Sequence, residues 1–273
     1  MRHEDHPPAD NALRFLSHGV RGSTFRRVGH KGAANIAPGN TLESFLAALR
    51  AGVDMIEFDV LPERPDGTGR LLLAHDYRAL RERAPLTLQE GLAHFAGEAY
   101  AGIELDVDVK LPGYGVRVVE ALREAGLVER SLVSSMFPED LDAMRATEPG
   151  LRVGWSVPRV RRDYTTGALT LVPALAALTG YRAWLPGRAR AMLREGRFDA
   201  IMAHWRVVTS GLVRAVKQGG GELYVWTVDD GALIERLSAL GVHGIITNDP
   251  RLFSSTPLAA ALSPQPSGLI ALG

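Results

Sequence analysis

FRRVGHKGAANIAPGNTLESFLAALRAGVDMIEFDV, residues 25–60, holds one complete strand–helix–strand unit. Its first apolar run, Phe25–Gly29, and its last, Met55–Val60, have the length and composition of buried strands. Between them Leu42, Phe45, Leu46 and Leu49 recur at i, i+3, i+4 and i+7, which predicts a helix over Thr41–Arg50. Asn40 with Glu43 three residues later reads as its capping box, and Gly52 as its stop.

The alternation repeats outward from this unit. Runs at Ile103–Val109, Ser131–Ser135, Arg152–Val157, Ala200–Ala203, Leu223–Val228 and Gly244–Thr247 bring the expected strands to eight. Leu71–Ala74 follows Pro62–Gly69 closely and reads as the return arm of a hairpin. Helical patterns cover Leu88–Phe95, Tyr114–Glu124, Pro138–Ala146, Ser210–Lys217 and Gly231–Leu240. Buried-looking strands alternating with helices predict an α/β chain folded as a single-domain parallel (β/α)₈ TIM barrel. The barrel is expected over 25–255, with an N-terminal extension over 1–24 and a tail over 256–273. Arg159–Arg197 is long for one crossover. It reads as a barrel helix with an extra turn rather than an amphiphilic lip that meets lipid, since no Lys/Arg stripe runs along it.

Composition narrows the chemistry. The chain has 273 residues and no net charge, so nothing in its total points to nucleic acid. Cysteine is absent, which excludes disulfides and thiolate metal sites. The first residues lack the apolar core of a signal peptide and no run is long enough to span a bilayer, so the expected location is the cytoplasm. Lysine is scarce: Lys31, Lys110 and Lys217 stand among 28 arginines.

In such barrels the active site lies at the carboxyl ends of the strands. The first strand ends in Gly29-His30-Lys31-Gly32, and His30 reads equally as structural or catalytic. In the second, Glu57 and Asp59 are two apart and share a face, while Ile56, Phe58 and Val60 face the helices. Two inward carboxylates are expensive without a positive partner. A hard divalent cation, Mg²⁺ or Ca²⁺, answers this better than arginines do. The hairpin returns His75-Asp76 to the same mouth, giving two histidines for acid–base catalysis. The third strand places Glu104, Asp106, Asp108 and Lys110 on one face. Asp108 is the natural third metal ligand, and Lys110 would hold a phosphate oxygen. Glu104 and Asp106 are deeper or shifted by a bulge, and Asp106 stays open between ligand and ion-pair partner. Trp226 reads as a substrate contact or as core, and His204 as a structural histidine.

Taken in order, His30-Lys31-Gly32, Pro38-Gly39-Asn40-Thr41, Glu57-Phe58-Asp59, His75-Asp76, Asp108-Val109-Lys110, Ser134-Ser135-Met136-Phe137, Trp226-Thr227 and the closing GVHGIITNDP of 241–250 make the chain resemble the glycerophosphodiester phosphodiesterase family from about Arg26 to Leu252. The resemblance implies Ca²⁺- or Mg²⁺-dependent cleavage of a small-molecule phosphodiester to an alcohol and a phosphomonoester. Glu57, Asp59 and Asp108 would hold the metal, His30 and His75 would be the acid–base pair, and Lys31, Lys110 and Trp226 would meet the substrate. Four departures stand out. Lys31 replaces an arginine, keeping charge but losing the planar fork. Gly39 replaces a glutamate, from which a looser substrate loop is expected. Asp108 stands where many members have glutamate, as in the sphingomyelinase D/phospholipase D branch of the same barrels. Only Tyr77–Ala84 separates His75-Asp76 from Pro85, so a more open mouth is expected. These departures keep an enzyme acting on lysolipids or sphingolipids, in contact with a lipid surface, as the alternative.

Overall fold

A computed structural model describes residues 25–159 and 168–254. The expected N-terminal extension, the tail, and part of Arg159–Arg197 lie outside the described residues. In chain order come β1 (Arg26–Gly29), α1 (Leu42–Arg50), β2 (Met55–Pro62), β3 (Leu71–Leu73), α2 (Ala79–Glu82) and α3 (Leu88–Phe95). Then follow β4 (Glu104–Val109), α4 (Gly115–Glu124), β5 (Ser131–Ser135), α5 (Pro138–Thr147), β6 (Arg152–Val157) and α6 (Ala168–Arg194). The chain continues through β7 (Ala200–His204), α7 (Ser210–Gly219), β8 (Glu222–Trp226), α8 (Gly231–Leu240) and β9 (Gly244–Thr247).

Eight of these strands pair in parallel in the order β1-β2-β4-β5-β6-β7-β8-β9, and β9 returns to β1 to close the barrel. β3 lies outside the ring as an antiparallel arm on β2. The expected fold is therefore present, hairpin included. The register of β2 on β4 sets Glu57 beside Asp106 and Asp59 beside Asp108.

The strands' outward faces are sealed by the helices. Ile56, Phe58, Val60, Leu105, Val107, Val133, Ile201 and Val225 are almost wholly buried against them. Phe95 of α3 packs on Phe45 of α1 and Phe58 of β2, with ring centroids 4.7 and 5.2 Å apart. Burying each such side chain contributes about 1.5–3 kcal/mol.

The start of α1 differs from expectation. Its N-cap is Thr41, whose hydroxyl accepts from the Ser44 N–H, and the reciprocal partner is Ser44 rather than Glu43. Asn40 instead sits in the left-handed region at φ 60°, a conformation asparagine tolerates better than most residues. The apolar stripe is also rotated: Phe45 and Ala48 are fully buried, while Leu42 and Leu46 are each 38% exposed. α6 is one long helix rather than a barrel helix with one extra turn, and Leu175 and Trp184 on it are exposed. Among the described residues no helix is long and apolar enough to cross a membrane.

The inside of the barrel has three levels. At the amino ends, Arg26, Glu104, Arg152 and Glu222, from alternate strands, close a ring of ion pairs. Arg26 meets Glu104 at 2.9 Å and Glu222 at 3.2 Å, and Arg152 meets the same two at 3.0 and 2.5 Å. Above it Val28, Met55, Leu132, Ala200, Met202, Tyr224 and Ile246 form an apolar plug. The remaining polar side chains lie above the plug, at the carboxyl ends.

Candidate active site

At the carboxyl ends a cavity of about 150 Å³ is lined by His30, Glu57, His75, Asp106, Asp108 and Lys110 on one side. Ser134, Met136, Ser156, Met202, Trp226, Thr227 and Ile246 complete the wall. All eight barrel strands and the hairpin arm thus contribute polar or large side chains to one place, as barrel geometry requires.

The turn after β1 is built to hold Glu57. Lys31 takes a left-handed backbone at φ 51°, unusual for lysine. Three contacts keep it there: its N–H donates to Glu57 Oε2 at 2.7 Å, and its carbonyl accepts from the Asn40 N–H and the Ser44 hydroxyl. Gly32 follows at φ 84°, so close to the backbone of Ser44 that a Cβ would fall 2.6 Å from its carbonyl carbon. Strain of this kind persists only where its surroundings impose it, and it collects at functional sites.

Gly39 does not loosen this loop. A Cβ there would lie 2.8 Å from Lys31 Cβ, so the lysine side chain occupies the space a residue-39 side chain would take. The short turn after His75 is tied to the same loop, because Arg83 donates to the Gly39 carbonyl. Lys31 itself is absent from the cavity wall, though its charge acts on both His30 and Asp59.

Asn40, expected as a helix cap, instead holds Asp59. Its Nδ2–H donates to Asp59 Oδ2 at 2.8 Å and its Oδ1 accepts the Asp59 N–H at 3.1 Å. The only prior signal was its place in the Pro-Gly-Asn-Thr motif.

Glu57, Asp59 and Asp108 each offer a carboxylate oxygen within 4.8 Å of the others. Asp59 is fully buried, and its Oδ1 accepts no hydrogen bond; it faces Lys110 Nζ at 3.1 Å. Lys110 also reaches Asp108 at 2.8 Å. A buried carboxylate oxygen without a donor is costly, and an all-oxygen set of three carboxylates suits a hard divalent cation. The residues present therefore fit such an ion.

Electrostatics separates the acids. Burial and the neighbouring carboxylates Asp59, Asp106 and Asp108 raise Glu57 well above the usual range. Burial also pushes Asp59 up, but Lys110, Lys31, His75 and His30 outweigh it and hold it below the usual range. Asp106 is pushed up to about 8, chiefly by burial, against a hydrogen bond from the Ser134 hydroxyl at 2.7 Å. Of the two roles open to Asp106, it has no ion-pair partner among the described residues and stands outside the three-acid group. Glu104 lies at the opposite end of the barrel, in the ion-pair ring.

His30 is lowered to about 4 by burial and by Lys31. Its Nε2 lies 3.8 Å from Glu57 Oε2. With the histidine pushed neutral and the acid pushed up, this contact is not a charge pair in the metal-free chain. His75 is half exposed on the rim, its Nδ1 3.2 Å from Asp76 Oδ2. Trp226 donates its indole N–H to the Met202 carbonyl at 2.9 Å, which leaves its ring face to the cavity. His204 packs on Trp226 and accepts the Arg206 N–H, the structural role expected of it.

The sequence model of the Glycerophosphoryl diester phosphodiesterase family matches residues 30–63 and 109–252. The unmatched interval contains His75 and Asp108. A glycerophosphodiester phosphodiesterase of Caldanaerobacter subterraneus subsp. tengcongensis is 26% identical over 255 residues, covering 82% of this chain and 93% of that one. The solved structure of a glycerophosphodiester phosphodiesterase from Parabacteroides distasonis superposes with a TM-score of 0.67 at 18% identity, covering 89% and 100% of the two chains. An Oleispira antarctica phosphodiesterase solved with its product sn-glycerol-3-phosphate superposes at 0.58 and 19% identity, covering 84% and 95%. The chain belongs to the glycerophosphoryl diester phosphodiesterase family.

Proposed function

We propose that this glycerophosphodiester phosphodiesterase hydrolyses water-soluble glycerophosphodiesters to an alcohol and glycerol phosphate, with Glu57, Asp59 and Asp108 holding a divalent cation and His30 and His75 as the acid–base pair. The observation that carries the reading is the three-acid group beside Lys110 and His30 on one small cavity. A cation there would supply charge neutralisation at the phosphoryl oxygens.

The chain's own groups divide the remaining work. Lys110, already anchored by two carboxylates, stands ready to take a phosphoryl oxygen as negative charge builds on it. Lys31 adds a second positive charge from the neighbouring turn. His30, kept neutral at physiological pH, accepts the proton of the nucleophile, either water attacking directly or a substrate hydroxyl whose cyclic phosphate water then opens. His75, on the rim, returns a proton to the leaving alcohol. The Trp226 face packs against the apolar part of the bound diester.

Both Mg²⁺ and Ca²⁺ suit the donor set. The test is a panel of glycerophosphocholine, glycerophosphoethanolamine and lysophosphatidylcholine, each with Mg²⁺, Ca²⁺ or chelator. The expected result is metal-dependent release of glycerol phosphate from the two soluble diesters. Turnover that persists in chelator would overturn the metal assignment. The exposed Leu175 and Trp184 of α6 favour keeping the lysolipid arm. Faster turnover there than on the soluble diesters would support the phospholipase-D-like reading instead.

A further inference from the structure

His30 Nδ1 lies 2.6 Å from Asn248 Oδ1. A terminal amide on its own presents either oxygen or nitrogen to a neighbour. Here the amide is oriented from behind, because its Nδ2–H donates to Asp229 Oδ2 at 2.6 Å and only the nitrogen can donate to a carboxylate. Asp229 is held in turn by the Asn248 backbone N–H at 2.8 Å and the Thr247 hydroxyl at 3.0 Å, both on Oδ1. The amide oxygen is therefore left for the ring, and His30 Nδ1 carries the hydrogen. In a neutral imidazole the other nitrogen then holds the lone pair. That nitrogen, Nε2, is the one on the Glu57 side.

We propose that Asn248 and Asp229 are positioning residues that lock His30 in its Nδ1–H form and turn the Nε2 lone pair toward the cavity. The purpose of the lock rests on the reading of His30 as proton acceptor; the lock itself is independent of it. Asn248 follows β9 and Asp229 follows β8, so two neighbouring strand ends orient a residue of a third. Such an arrangement removes the rotational and tautomeric freedom that a ring on a turn would keep.

The test uses the full chain with Mg²⁺ and ¹⁵N-labelled histidines. Long-range ¹H–¹⁵N spectra identify which ring nitrogen of His30 is protonated, its signals assigned by their loss in His30→Gln. The wild type is expected to show Nδ1–H. Asn248→Asp keeps an acceptor and keeps that form. Asn248→Ala gives a mixture of the two forms, with kcat reduced at least about tenfold and KM unchanged. Asp229→Asn inverts it. The backbone N–H on Oδ1 cannot turn round, so the new amide nitrogen must face Asn248, whose own amide then flips its nitrogen toward His30. Nε2–H in the wild type, or an unchanged form in Asn248→Ala, overturns the proposal. Wild-type turnover by His30→Gln would sink the acid–base reading while the Nδ1–H assignment stood, which keeps the two failures apart.

Discussion

At the amino ends of the barrel strands, Glu104 and Glu222 each lie between Arg26 and Arg152; at the carboxyl ends, Glu57, Asp59, Asp106 and Asp108 crowd around Lys110. Both sets are inward charges of the same barrel, sharing only β4, and one apolar plug separates them. In the lower set every carboxylate has two guanidinium partners, and Glu222 is held below its ordinary range despite burial, by Arg152 and Arg26. In the upper set Asp59 keeps an oxygen without a donor, and Glu57 and Asp106 are pushed up. Charges compensated within the chain serve stability. A surplus of one sign, kept at a cost, is what a ligand of the other sign completes.

The same substitution at the two ends separates these roles most widely. Glu57→Gln is expected to lower kcat/KM about 10³-fold, the scale of a lost charge-stabilising interaction at a reacting centre. The metal-free variant should melt no lower than wild type, because Glu57 already favours its protonated form. Glu222→Gln should do the reverse. It leaves Arg152 and Arg26 short of a counter-charge and costs about 3 kcal/mol of stability, with kcat/KM nearly unchanged. Thermal melts and steady-state rates on both variants decide the matter. Lost activity in Glu222→Gln at a temperature where it is folded would dissolve the contrast.

The upper set was legible in the sequence and the lower was not. Glu57 and Asp59, or Asp106, Asp108 and Lys110, announce themselves by period two within a single strand. The ring instead joins Arg26 to Glu104 and Glu222 across 78 and 196 residues, and no local pattern encodes such pairs. The same distance hid Asn248 from His30, 218 residues away. Asn40 was misread for a different reason. It and Thr41 are both good caps, and the demand of buried Asp59 for a donor, a tertiary matter, decided between them. The strands themselves were readable because a barrel wall buried on both sides needs unbroken apolar runs.

A smaller effect is expected at Asn40. It aims Asp59 without belonging to the three-acid group, so Asn40→Ala should weaken Mg²⁺ or Ca²⁺ binding by about 10–100-fold, as loss of a residue orienting a metal ligand does. Calorimetric titration of the chelator-stripped protein measures this. Affinity equal to wild type would show that Asp59 needs no such support.

Acid should act oppositely on the two ends. Glu222, depressed when folded, contributes stability that is present above about pH 4.5 and is lost as pH falls through its folded value. Asp106, raised to about 8, contributes stability present below its unfolded value of about 4 and lost as pH rises through about 8. Between about pH 7.5 and 8, a unit or more above the ordinary histidine value, His30 is neutral in both states, so the upper acids are seen without it. In chelator, stability should fall across that window by up to about 1.4 kcal/mol per pH unit for each raised acid. Asp106→Asn should reduce the slope. A flat profile in chelator would mean that the upper acids carry no protons for a cation to displace.

The smallest expected effect concerns how the upper set is framed. Lys31 and Gly39 both depart from the pattern the chain otherwise follows, and they meet: the space for a side chain at 39 is filled by Lys31. The two departures should therefore behave as one. Gly39→Ala forces the lysine aside and disturbs the turn whose N–H holds Glu57, so activity should drop a few-fold. Lys31→Gly alone removes a charge that acts on His30 and Asp59 but opens the space, Cβ included. In the double variant the added methyl no longer meets a Cβ at position 31, and the Gly39→Ala cost should largely vanish. The coupling read from kcat/KM in this cycle is expected to be about 1 kcal/mol, within the range for residues in contact. Additive effects would separate the two positions, and Lys31 would then act on the site through its charge alone.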